Sequence, residues 1–146
     1  STGHIDTITI NDSYSDAIDF DFSKLYIEKT IVKEAGNDCL DVSGGIYNLN
    51  KTVLYKCNDK GISVGEKSLL NVESVDLQKS NIGMSVKDLS FLNANNVVIK
   101  ESTICIESIQ KKQEFGGGFA KLSNIECLNG DNIDETSSIL KEQKNK

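Results

Sequence analysis

Apolar and polar residues alternate along most of this chain, and the alternation itself repeats. Ile18, Leu40, Ile62, Met84 and Ile106 follow one another at steps of 22 residues. Phe20, Val42, Val64, Val86 and Ser108 lie two positions after them, and the small residues Ala17, Cys39, Gly61, Gly83 and Cys105 one position before. Ser15, Asn37, Asp59, Asn81 and Thr103 form a column of small polar turn formers ahead of each centre. A second apolar pattern, a-x-b-x-x-c-x-d, fills the rest of the period. It recurs as Leu25/Ile27/Thr30/Val32, Tyr47/Leu49/Thr52/Leu54, Leu70/Val72/Val75/Leu77, Leu92/Ala94/Val97/Ile99 and Ala120/Leu122/Ile125/Cys127, after a truncated Ile5/Ile8/Ile10.

Alternation inside short β-branched runs predicts strands with one buried face. The two-residue gap between b and c interrupts the alternation, as a bend does. Each period therefore predicts about three short strands, and the repeat has no helical spacing to supply a crossover helix. If every strand stacks on its own copy one turn later, the chain is a parallel β-helix with turns about 4.8 Å apart. One turn cannot bury its own apolar face, so several must stack. About six turns give a rod of roughly 30 Å at that spacing. A β-sandwich with similar strand lengths does not account for four equal steps of 22 residues.

The outward positions carry the chemistry. The column after each centre reads Asp19, Asp41, Ser63, Ser85, Glu107, the next outward column begins Asp21, Ser43, and the turn column begins Asp16, Asp38, Lys60. Asp16, Asp19, Asp21, Asp38 and Asp41 therefore crowd onto two adjacent turns. Like charges at one strand spacing repel. Three readings follow: a cation site, with calcium as the natural occupant because it takes clustered carboxylate oxygens; a solvated acidic face balanced by Lys60; or a catalytic carboxylate pair.

Length and charge narrow the classes. The chain has 146 residues, enough for one domain, and a formal charge of −6 with no arginine. Nucleic acid is excluded as a partner because phosphate binding needs a basic stripe. No apolar run approaches the roughly 20 residues of a membrane span. There is no signal-peptide core, and the opening STGHIDTITI lacks an initiator methionine, as expected of a mature chain or an excised piece. Four cysteines without a CxxC pair and a single His4 do not make a zinc site. Cys39 and Cys105 share an outward column three turns apart, about 14 Å at the strand spacing, too far for a disulfide. With Cys127 at an inward d position, free thiols are expected.

The phrases also resemble the right-handed parallel β-helix superfamily of pectate lyases, polygalacturonases and NosD-like repeat proteins, over roughly residues 5–130. Polygalacturonases carry N-T-D, G-D-D-C-I, G-H-G-I-S-I-G and R-I-K on one face. This chain has Tyr14-Ser15-Asp16-Ala17-Ile18, Gly36-Asn37-Asp38-Cys39-Leu40, Asp59-Lys60-Gly61-Ile62-Ser63-Val64-Gly65 and Gly83-Met84-Ser85-Val86-Lys87. The resemblance implies a right-handed coil and puts Asp16 and Asp38 on two of the three catalytic aspartates. Asn37 replaces the third, Lys60 the histidine and Ser85 the substrate-binding arginine, while Lys87 matches the lysine. An inverting hydrolase needs an acid, a base and room for water. The lyase alternative would use Lys60 or Lys87 as a base, with calcium offsetting the uronate charge.

Two segments leave the period. ESIQKKQEFGGG, residues 107–118, lengthens one turn and carries Phe115 beside Lys111 and Lys112. Insertions in solenoids project from one face and often bind ligands, so Phe115 either stacks on a sugar ring or folds back over the rod. Residues 131–146 lose the repeat and are expected to form a polar tail or a short helix capped by Asp134 or Thr136, with Ile139 and Leu140 against the last turn. At the other end, Ile5, Ile8 and Ile10 have no turn beneath them, so an end-to-end or inter-domain contact is expected there.

The sequence thus predicts an all-β, single-stranded right-handed parallel β-helix over 1–130, followed by a C-terminal segment over 131–146. Its leading function is a non-catalytic, extracellular or cell-surface module that needs no cofactor beyond calcium. It would bind polysaccharide through Asp19, Asp41, Ser63, Ser85, Glu107 and Phe115. The alternatives are a polysaccharide hydrolase or lyase working through Asp16, Asp38, Lys60 and Lys87, and a structural stalk.

Overall fold

The computed structural model describes residues 2–143. It is a parallel β-solenoid of about six turns with no helix among the described residues. Its strands are β1 (Thr2–Ile10), β2 (Ile18–Val32), β3 (Leu40–Lys87), β4 (Phe91–Ile109), β5 (Phe119–Glu126), β6 (Asn132–Ile133) and β7 (Ser138–Glu142). They hydrogen-bond in the order β1-β2-β3-β4-β5-β7, with β6 on β4, and every pairing is parallel. The register repeats the sequence period: Ile18 pairs with Leu40 and Met84 with Ile106. Past the 107–118 insertion, Phe91 pairs with Phe119. Among the described residues no helix is long and apolar enough to cross a membrane.

Three short strands per turn are expected from the breaks in alternation, yet β3 runs 48 residues through its bends without losing the ladder. Residues in the left-handed region, singly or as the consecutive pairs Glu66–Lys67 and Asp88–Leu89, turn the corners. They recur as Phe22, Gly44, Glu66 and Asp88, as Lys56, Lys79 and Glu101, and as Asn96 and Asn124. Such a residue redirects the chain sharply; the strands run on through Phe22, Gly44 and Glu66–Lys67, whereas the Asp88–Leu89 corner separates β3 from β4. The predicted b–c bend is where Asn96 and Asn124 sit.

The core is the set of columns that the alternation identifies. Leu40, Ile62, Met84 and Ile106 are fully buried, as are Leu70, Leu77, Leu92 and Leu122. Tyr47 is also enclosed. Its hydroxyl donates to the carbonyl oxygens of Ser43 and Gly44 and accepts from the Ser23 amide. Thr30 and Thr52, paired across adjacent turns, are buried with hydroxyls that have no hydrogen-bond partner.

The small residue before each centre faces inward rather than outward. A methyl group built on Gly61 would lie 1.9 Å from Leu77 Cδ1, and one on Gly83 would lie 2.9 Å from Ile99 Cδ1. This column therefore meets the bulky d column across a corner of the core. At Cys105 the d residue is Cys127, and the two form a disulfide; Cys39 pairs with Cys57 beside the same corner. The expectation of free thiols is overturned. Cys39 and Cys105 are indeed too far apart, but each has a closer partner 18 or 22 residues along, about one turn of the coil.

The C-terminal segment also differs from expectation. Within the described residues it forms β6 and β7 and continues the stack, with no helix. Ile139 pairs over Ala120 and packs against the core. Asp134 organises the connecting turn: its carboxylate accepts from the amides of Gln110 and Thr136 and from the hydroxyls of Thr136 and Ser137. Residues 144–146 of the predicted tail lie outside the described residues.

Candidate functional site

The acidic phrases converge on the first turns of the rod, where the chain turns into β2 and β3. Asp16 Oδ1 accepts from Asn37 Nδ2 at 2.8 Å and from the Asp38 amide at 2.9 Å. Asp38 Oδ1 accepts from the Lys60 amide at 3.1 Å. These carboxylates sit where the chain corners, and each binds a backbone N–H of the turn above. Part of the reason for an aspartate here is thus structural.

The remaining carboxylate capacity is concentrated. Asp16, Asp38 and Asp41 each offer an oxygen, and the three lie within 4.8 Å of one another. Asp38 is buried at 5% exposure and Asp41 half-buried. Asp19 pairs directly with Asp41 on the neighbouring turn but stays exposed, as does Asp21. Of the five carboxylates predicted as ligands, three converge and two flank them.

Burial pushes the Asp41 carboxyl up to about 6, with the charges of Asp38, Asp19 and Asp16 adding to it and Lys87 opposing. Asp38 is raised too, first by burial; Lys60 pulls it back and Asp16 and Asp59 push it up. Asp19 is raised by burial and then by Asp21 and Asp16. The repulsion is therefore only partly offset. Lys60 Nζ lies 4.0 Å from Asp38 but 2.9 Å from Asp59, so it is committed mainly to the latter.

Further along the rod the same columns look different. Ser63, Ser85 and Glu107, predicted to face solvent, are buried. Lys87 Nζ donates to Ser63 Oγ at 2.7 Å, and the Lys87 stem runs across Gly65. Ser85 Oγ donates to Glu107 Oε1 at 2.8 Å, and Asn132 Nδ2, in β6, donates to Glu107 Oε2 at 3.2 Å. Burial pulls the Lys87 ammonium below its ordinary value, Lys60 and Lys111 lower it further, and Asp41 and Asp38 oppose. Burial also pulls Lys60 down, but its hydrogen bond to Asp59 and the charges of Asp38 and Asp59 raise it overall.

The insertion folds back over the rod. Asp88, itself buried, accepts from the Lys111 and Lys112 amides, and Lys112 pairs with Glu66. Phe115 is half-buried with the Lys67 ammonium 5.4 Å from its ring centre.

Sequence reasoning did not find the buried Ser85–Glu107–Asn132 and Lys87–Ser63 contacts. Alternation says which way a side chain leaves a strand, not whether another segment lies over it. Comparison with protein-family models, with curated proteins and with solved structures gives no match for this chain.

Proposed function

We propose that this chain is a non-catalytic β-helix module that binds acidic polysaccharide through the first turns of the phrase face, with a divalent cation between the two. The observation that carries this reading is the convergence of Asp16, Asp38 and Asp41 oxygens within 4.8 Å, with too little positive charge to offset them. An all-oxygen donor set suits calcium, whose oxygen ligands lie about 2.3–2.6 Å from the ion. Two oxygens on one such ion are at most about 5 Å apart, a span these three carboxylates meet. Calcium takes six to eight oxygens, so three carboxylates leave positions for water or for the carboxylates and hydroxyls of a uronate chain. Two disulfides support an oxidising, extracellular or cell-surface setting.

The test is native electrophoresis through gels containing polygalacturonate, with calcium or with a chelator. Retardation that needs calcium and disappears in Asp38→Asn/Asp41→Asn is expected. Retardation that survives either the chelator or the double substitution contradicts the reading.

One observation favours an enzyme as a second reading. Lys87 is half-buried, held below the ordinary lysine range by desolvation and adjacent to the acidic cluster, as a lysine base for uronate elimination needs to be. The hydrolase form is less well supported, because the Asp16 and Asp38 oxygens lie closer than the roughly 6.5–9.5 Å that an inverting pair keeps open for water. Elimination predicts ultraviolet-absorbing unsaturated uronate from polygalacturonate, lost in Lys87→Ala. No such product from the wild type rules that route out.

A further inference from the structure

The strand face that follows the phrase face carries three outward columns. The first is apolar: Ile46, Leu69, Phe91 and Phe119, with the two phenyl rings stacked 6.1 Å apart. The second is a ladder of side-chain amides. Asn71 Nδ2 donates to Asn48 Oδ1 at 2.9 Å, and Asn93 Nδ2 donates to Asn71 Oδ1 at 3.4 Å. In the third, amides alternate with carboxylates: Asn50 Nδ2 donates to Glu28, and Asn95 Nδ2 to Glu73 at 3.0 Å. Between the second and third columns runs an open groove of about 260 Å³ along the rod, with Tyr26 lining it too.

We propose that this groove is a second binding site, for an uncharged, hydroxyl-rich chain, a neutral glycan lying along the rod. A carboxamide has two N–H donors and an oxygen with two lone pairs. The ladder uses one donor and one lone pair of Asn71. A donor and an acceptor therefore remain side by side, the pair that neighbouring hydroxyls of a sugar satisfy. Asn48, Asn71 and Asn93 are half-buried, which holds them in place and leaves them accessible. The apolar column borders the row and offers a surface for the C–H face of a sugar ring.

Other ligand classes fit less well. Glu73 in the groove wall, with Glu28 bonded to the lining Asn50, disfavours a polyanion. The backbone under the groove is committed to the parallel ladder on both sides, so an extended peptide finds no free strand edge to pair with. This site lies on a different face from the acidic cluster and uses none of its residues, so it stands or falls independently of the calcium-bridged reading.

The test is native electrophoresis in separate gels containing hydroxyethylcellulose, galactomannan or soluble starch, all with chelator present. Retardation in at least one polymer is expected. It should weaken at least several-fold in Asn71→Ala and in Asn95→Ala, and stay unchanged in Asp38→Asn/Asp41→Asn. Melting curves show whether each variant is folded, and if Asn71→Ala is not, Asn95→Ala decides. Added maltoheptaose or cellohexaose should also shift the side-chain amide resonances of Asn71 and Asn93 when it comes from the retarding polymer's class. No retardation in any of the three polymers overturns the proposal. So does retardation that the folded asparagine variants retain, or that the aspartate variant loses; an amide ladder that only stabilises the rod gives the first of these results.

Discussion

The phrase face differs between its two ends. In the first turns the column after each apolar centre holds Asp19 and Asp41, which repel one another and remain partly or wholly exposed. In the next turns it holds Ser63, Ser85 and Glu107, buried and paired with Lys87, with one another or with Asn132. Backbone and register are the same in both. One end satisfies its polar groups internally, while the other gathers charge that the protein itself does not neutralise. A fold that can supply buried partners for this column, and does so a few turns later, leaves the acidic end open to a ligand.

The largest expected effect comes from the corner beneath the satisfied end. Gly61→Val places atoms where even a methyl lies 1.9 Å from Leu77 Cδ1 and 2.6 Å from the Gly83 carbonyl oxygen. The loss should reach or exceed the top of the roughly 1–3 kcal/mol range for overpacked cores. Ala17→Gly, in the same column at the acidic end, should cost only about 0.5–1 kcal/mol. Urea denaturation of both variants checks the contrast, and equal losses would remove it.

Next in size is Ser85→Ala, which strips a buried oxygen of Glu107 of its donor and should cost about 1–3 kcal/mol. Thr30→Val and Thr52→Val should move the other way. Each removes a buried hydroxyl without a partner, and a gain of about 1 kcal/mol in urea denaturation is expected.

A separate contrast is the pH response of the acidic end. The folded Asp41 carboxyl takes up a proton at about pH 6, whereas its ordinary value is 3.8. Between those values the folded state binds more protons than the unfolded one, so stability rises as pH falls through about 6. Asp134 has the opposite sign. Backbone and hydroxyl donors hold it down to about 2, so its contribution is present above 3.8 and fades as pH falls toward 2. Melting temperature should therefore climb on mild acidification and fall on further acidification. Asp41→Asn should flatten the climb alone.

Much of the fold was legible in the sequence because two periods agree. Alternation identified the buried columns Leu40, Ile62, Met84 and Leu70, and the step of 22 residues identified what each stacks on. The disulfides were missed because Cys105 and Cys39 were assigned outward by alternation, which resets at the bend before each centre. The pairing of small Gly61 and Gly83 with bulky Leu77 and Ile99 was the available signal for that corner. β7 was hidden because SILKE is short and mostly polar, and only the neighbouring Ala120 gives Ile139 a place to pack. Of the site, the carboxylate cluster was readable from column arithmetic. The burial of Ser63, Ser85 and Glu107 was not, since it depends on the Lys87 stem and on contacts such as that from Asn132.

The central claim is that the acidic end holds a cation. Its most direct test is the melting temperature at neutral pH with millimolar calcium and with chelator, for the wild type and for Asp38→Asn/Asp41→Asn. The account predicts a rise of several degrees with calcium in the wild type, none in the variant, and a higher melting temperature for the variant in chelator if it keeps the turn hydrogen bonds. A wild-type melting temperature that calcium does not move would contradict it and leave the cluster a solvated acidic face.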